Sequence, residues 1–165
     1  MTADPPASPP SGPLLLDLEF DGHSLAIMRS AVAERATDAG LGTQRANDVV
    51  IAVHELAVNA VQHGPGRGRL RVWMRGADLV CQVTDDGAGA AGEAREPGRP
   101  SWRIEPGHGI WLVHRLADDA VMLAGPGGAT ATVSFSAKLP PHPVPADPLP
   151  ADQGPPGPMP LPPGG

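Results

Sequence analysis

Glu55 and Asn59 stand four residues apart in the stretch His54 to Gly64, among apolar positions (Val50, Val53, Ala57, Ala60, Val61) that keep helical spacing. A carboxylate and an amide at that spacing project from the same side of one helix. Burying them among apolar neighbours is costly unless something meets their polar atoms. A ligand with a metal ion would do so. Farther on, Asp85 opens the run Asp85-Asp86-Gly87-Ala88-Gly89. Its carboxylate can accept from an exocyclic amine, and Gly87 and Gly89 let the backbone pass close to a flat ring. Gly107-His108-Gly109 then precedes an apolar run with Ile110 and Leu112. The first amides of a helix starting there suit phosphate. Glu55 and Asn59 would supply oxygen atoms near that phosphate, and an amide oxygen joined to phosphate oxygens suits Mg2+.

Two other chemistries fail on spacing. His54-Glu55 does not extend to the zinc-protease pattern, because the required second histidine position is Val58. A P-loop needs a lysine after its glycines, and the only lysine is Lys138. A nucleotide must therefore be held by another route. His63, one turn after Asn59, reads as a helix-end residue or a ligand contact.

The elements that must position these residues follow from periodicity. Residues 14–20 read as a strand, with Leu14, Leu16, Leu18 and Phe20 on one face. Residues 24–39 read as a helix with a stripe of Leu25, Met28, Val32 and Ala36, ended by Gly40. Thr43 is expected to cap the next helix, which runs to His63 and stops at Gly64-Pro65. Residues 69–75 and 78–85 alternate as strands, the first with Leu70, Val72 and Met74 inward, the second with Leu79, Cys81 and Val83. That alternation implies an antiparallel sheet with one covered and one wet face, and it puts Asp85 on the covered side. Residues 90–106 are long and glycine-rich, a candidate lid whose Arg95, Arg99 and Arg103 could reach phosphates. A helix over 108–118 and a hairpin of 121–124 with 129–137 complete the order β-α-α-β-β-lid-α-β-β. The fold class is α+β: a two-layer sandwich of one mixed, mostly antiparallel sheet with about three helices on one face.

Composition sets the boundaries. The tails 1–13 and 139–165 are dominated by Pro, Gly, Ala and Asp, leaving residues 14–138 as the folded block. The C-terminal tail reads as a linker or a polyproline ligand. A net charge of −6 argues against a direct nucleic-acid partner. No apolar run approaches a membrane span of about 20 residues, and no signal-peptide pattern opens the chain. Cys81 is the single cysteine, so no internal disulfide forms. These features point to a cytoplasmic protein.

Three segments carry a family resemblance. Glu55-Leu-Ala-Val-Asn59-Ala-Val-Gln-His63-Gly64, Val83-Thr-Asp85-Asp-Gly87-Ala-Gly89 and Gly107-His-Gly109-Ile-Trp-Leu-Val-His-Arg-Leu-Ala-Asp118 resemble the N, G1 and G2 boxes of the Bergerat-fold, histidine-kinase-like ATPase superfamily. Gly127-Gly128-Ala129-Thr130 resembles the Gly-Gly-Thr before its last strand. The likeness spans about residues 14–137 and is closest to anti-sigma-factor serine/threonine kinases. It implies ATP with Mg2+, Asn59 as metal ligand, Glu55 as base or water organiser, and Asp85 on the adenine amine with support from Thr130. His63, Gly87, Gly89, Gly107, His108, Gly109, Ile110 and Leu112 complete the implied ATP site. His108 and Gln62 stand where relatives often carry arginine. The implied function is phosphorylation of an anti-anti-sigma protein and control of a sigma factor, hence transcription regulation. The alternative is a non-catalytic, nucleotide-dependent module that sequesters a regulator. A detached histidine-kinase catalytic domain is the third reading, and self-association as a homodimer stays open.

Overall fold

The computed structural model describes residues 12–85, 108–125 and 128–138. The chain runs β1 (Leu14–Asp21), α1 (Leu25–Asp38), α2 (Thr43–His63), β2 (Arg67–Arg75), β3 (Asp78–Asp85), α3 (His108–Leu116), β4 (Asp119–Gly125) and β5 (Gly128–Ser136). Element order is the one expected from periodicity. The strands form one five-stranded sheet in the order β1-β2-β3-β5-β4. Every pairing in it is antiparallel, so the sheet is simpler than the mixed one expected. Helices α1, α2 and α3 cover one face.

Helix α2 is the centre of the covered layer. Its Val49, Ala52, Val53, Leu56, Ala57 and Ala60 are buried, together with Leu70 and Val72 of β2, Leu79, Cys81 and Val83 of β3, and Val133 and Phe135 of β5. Three of those α2 positions are alanine, which lets the helix lie close to the sheet. Helix α1 buries Met28, Val32 and Ala36 of its expected stripe. It is entered through a turn in which the Asp21 carboxylate accepts the N–H groups of His23 and Ser24 at 2.9 and 3.0 Å. Those bonds hold the Asp21 carboxyl below the usual carboxylate range, the Ser24 side chain contributing most. It ends in a Schellman arrangement: Leu41 N–H donates to Ala36, Gly40 N–H to Thr37, and Gly40 takes φ +85°.

Three local expectations need correction. Thr43 is not the cap of α2 but its first helical residue, with extended Gly42 preceding it at ψ 160°. Leu14 does not share the face of Leu16, Leu18 and Phe20, because the register of β1 on β2 shifts between Leu14 and Leu16 and leaves Leu14 exposed. The second sheet face is not wet throughout. Trp73 of β2, Val80 and Gln82 of β3 and Ser134 of β5 are buried on it, and the large indole stands directly opposite Val80. No helix among the described residues is long and apolar enough to cross a membrane.

Candidate functional site

Two close approaches along α2 assemble the site. Near its middle, Glu55 is half-buried and faces the first turn of α3. A Cβ placed on Gly109 would lie 2.6 Å from Glu55 Oε2, so glycine is what lets α3 come this near. At the end of α2, a Cβ on Gly64 would lie 3.0 Å from Asp85 Oδ2. The helix thus touches the start of α3 with one turn and the end of β3 with another. Asn59 is half-buried between them, one turn after Glu55, about 6 Å along the axis. His63 closes the last turn and is exposed.

Asp85 is only 2% exposed, at the point where the apolar face of β3 ends. Its Oδ1 accepts the Ala129 N–H at 3.1 Å, across the β3–β5 pairing in which Asp85 stands opposite Ala129. Thr130 does not share this face. It pairs with Thr84 and lies on the opposite side of the sheet, so the expected hydrogen-bond support for Asp85 comes from the Ala129 backbone instead. Period-two alternation explains the displacement: neighbours in a strand face opposite ways.

Ile110 and Leu112 are half-buried and pack against the core, while Val113 and Leu116 are buried within it. These contacts anchor α3 on the core. His108 begins α3. Gly87, Gly89 and Gly107, the candidate lid 90–106 with its arginines, and most of both tails lie outside the described residues. The Cys81 thiol is pushed up to about 12 by complete burial, which keeps it protonated and unreactive.

Among the described residues no cluster of three or more His, Cys, Asp or Glu side chains could hold a metal ion. A magnesium site made of one amide oxygen and the ligand's phosphate oxygens needs no such cluster, and half-buried Asn59 suits it. A cleft of about 540 Å³ does exist elsewhere, on the outer sheet face, lined by Glu19, Arg67, Gly68, Arg69, Arg71 and Thr84. It is not the candidate site, because Asp85 and Glu55 are on the other side of the sheet. Its arginines are also engaged: Arg69 binds both oxygens of Asp17 at 2.6 and 2.8 Å, and Arg71 donates to Gln82 at 2.8 Å. The Arg69 guanidinium holds the Asp17 carboxyl below its usual range.

Periodicity missed three contributors: Gly64, the Ala129 amide and a buried ion network around Arg45. Gly64 is visible in the sequence only as a helix stop, and the network only as an arginine on the apolar stripe that continues through Val49 and Leu56.

Residues 18–135 match the family model described as a histidine kinase-like ATPase domain. The chain belongs to that family. As a histidine kinase-like ATPase domain it has an ATPase and kinase-like fold, and membership implies ATP as its nucleotide. Among solved structures it is similar to the RsbU and RsbW domains of Rv1364c from Mycobacterium tuberculosis, with 20% identity and a TM-score of 0.54. That match covers 73% of this chain and 32% of the other, so this chain spans about a third of the relative's length. A second similarity is to the Acinetobacter baumannii histidine kinase AdeS, with 16% identity, a TM-score of 0.44 and coverage of 76% and 69%. A third is to the histidine kinase domain of the Erythrobacter litoralis EL346 blue-light activated histidine kinase, with 23% identity, a TM-score of 0.43 and coverage of 70% and 60%. No curated protein matches the chain.

Proposed function

We propose that this histidine kinase-like ATPase domain is an anti-sigma regulatory kinase, using ATP and Mg2+ to phosphorylate a serine or threonine of an anti-anti-sigma protein. The observation that carries the nucleotide reading is the double approach of α2, Glu55 against Gly109 and Gly64 against Asp85. It gathers a carboxylate, an amide, a helix start and a buried carboxylate around one helix. The regulatory reading draws on the likeness to the RsbW-containing structure and on the N, G1 and G2 sequence segments.

In this reading Asp85, held in place by the Ala129 amide, accepts from the adenine amine. The first turn of α3 receives the phosphates through its unpaired amides. Asn59 offers the one protein oxygen to magnesium, which when bound neutralises phosphate charge. Glu55 orients the attacking hydroxyl and takes its proton. Phosphoryl transfer depends mainly on positioning and charge neutralisation, and this set of groups supplies both. A cytoplasmic setting fits such a partner-switching role.

The test begins with calorimetric titration of ATP in the presence of magnesium. Asp85→Asn should weaken binding by about one to two decades, matching a lost charge-assisted hydrogen bond of roughly 1.5–3 kcal/mol. Equal affinities for wild type and variant would remove Asp85 from the adenine site. Partner proteins captured from the native host are then incubated with labelled ATP. Absence of labelled serine or threonine on any of them would overturn the kinase assignment.

A further inference from the structure

Arg45 is charged and yet only 3% exposed, on the core-facing side of α2. Its Nη1 donates to the carbonyl of Leu116, the last residue of α3, at 2.8 Å. Its Nη2 pairs with the Asp118 carboxylate, Asp48 stands 3.6 Å away, and the guanidinium lies 5.2 Å from the centre of the Phe135 ring. Asp118 in turn accepts the Ser136 N–H at 2.6 Å, while its own N–H donates to the Ser134 carbonyl at 3.0 Å. One guanidinium therefore ties the C-terminal end of α3 to the start of α2, and through Asp118 to β5.

The other end of α3 meets the same helix ten residues farther along, where Gly109 abuts Glu55. The two helices run antiparallel, and these contacts define their register at both ends. Ten residues of α2 span about 15 Å. The two ends differ in kind. At Leu116 the register is fixed by a fork of hydrogen bonds, whereas at Gly109 it depends on a close approach that any axial shift of α3 would open.

We propose that Arg45 is a positioning residue for the nucleotide phosphates: by clamping the C-terminal end of α3 it sets where the first turn of α3 stands against Glu55. The inference rests on the nucleotide reading given above. It separates the two halves of the ligand. Adenine is read by Asp85 on β3, which Arg45 does not touch, whereas the phosphates depend on α3.

Arg45→Lys keeps the charge but loses the planar fork that holds a carbonyl and a carboxylate together. Asp118→Asn keeps size and an acceptor oxygen while removing the charge. Both are compared with Val32→Ala, which loosens the α1 core at a distance from α3. Affinities for ATP and for adenosine are measured on the full chain by NMR titration, with circular dichroism confirming that each variant is folded. ATP affinity should fall about tenfold in the two clamp variants, the scale of coupling between packed elements, while adenosine affinity stays at the wild-type value. Val32→Ala should leave the ratio of the two affinities unchanged. If Arg45→Lys does not fold, Asp118→Asn carries the same comparison. Equal loss of both ligands, or loss of neither, overturns the proposal. Wild type binding neither ligand would instead overturn the nucleotide reading, and this inference with it.

Discussion

The two ends of α2 handle polar groups in opposite ways. At its start, Arg45 and Asp48 are buried, and Arg45 is held by the Leu116 carbonyl and the Asp118 carboxylate, with Asp48 3.6 Å from it on the same helix. From its middle onward, Glu55 and Asn59 are half-buried, Glu55 lies against Gly109, and Gly64 at the helix end lies against Asp85, so backbone comes close where glycines occupy the contacts. A buried ion pair seldom adds net stability over apolar packing, but once present its partners cannot be separated cheaply. Charge satisfied by the chain is architecture. Polar groups left at the rim of an apolar helix, beside backbone kept bare of side chains, are available to a ligand. In the reading proposed above, one helix carries both a clamp and a site, and the distinction lies in where the partners come from.

The largest expected effects come from the site end. Glu55→Gln keeps the shape and removes the base, so phosphoryl transfer to a confirmed partner should fall roughly 10²–10⁴-fold while ATP still binds. Asn59→Ala should instead weaken binding itself, and only when magnesium is present. Parallel kinase assays and titrations with and without magnesium separate the two outcomes. Full transfer activity in Glu55→Gln would show that this carboxylate has no part in the chemistry.

At the clamp end the effect should appear in stability. Arg45→Met leaves the Asp118 carboxylate without its guanidinium, and breaking a buried pair from one side costs about 3–5 kcal/mol. Urea unfolding should show that loss, whereas Glu55→Gln and Asn59→Ala, being half-buried, should change stability by about 1 kcal/mol or less. If all three variants were equally destabilised, the division of α2 into clamp and site would not hold.

Periodicity made the layers legible because burial imposes it. The stripes of α1 and α2 and the alternation of β2 and β3 place those four elements, and Asp85 continues the inward phase of Leu79, Cys81 and Val83 to the strand end. What stayed hidden depends on register. The bulge at Leu14/Leu16 shifts one residue out of phase, and nothing in a run of leucines marks where it falls. Trp73 reads as a wet outer-face residue, and its burial on that face opposite Val80 shows only in the folded sheet. Ala129 and Thr130 are neighbours on β5, and only the strand pairing decides that the Ala129 amide makes the bond to Asp85. Gly64 and Gly109 were legible as a helix stop and a glycine pair. Their closeness to Asp85 and Glu55 is a property of the folded chain.

The smallest expected effect examines that closeness directly. Gly109→Ala adds a Cβ that would sit 2.6 Å from Glu55 Oε2. The obstacle is the far end of a flexible side chain, which can swing aside, and alanine is favoured over glycine in a helix by about 0.8–1.0 kcal/mol. Thermal stability should therefore stay the same or rise slightly. ATP affinity should drop a few-fold, because either the carboxylate leaves its position or α3 retreats from it. A double-mutant cycle decides between a specific contact and a general disturbance of the first turn. With Glu55→Ala in the background there is no carboxylate to displace, so Gly109→Ala should lose most of its effect on ATP binding. An undiminished effect in that background would mean that the glycine serves the phosphates through its own backbone, and that its nearness to Glu55 is incidental.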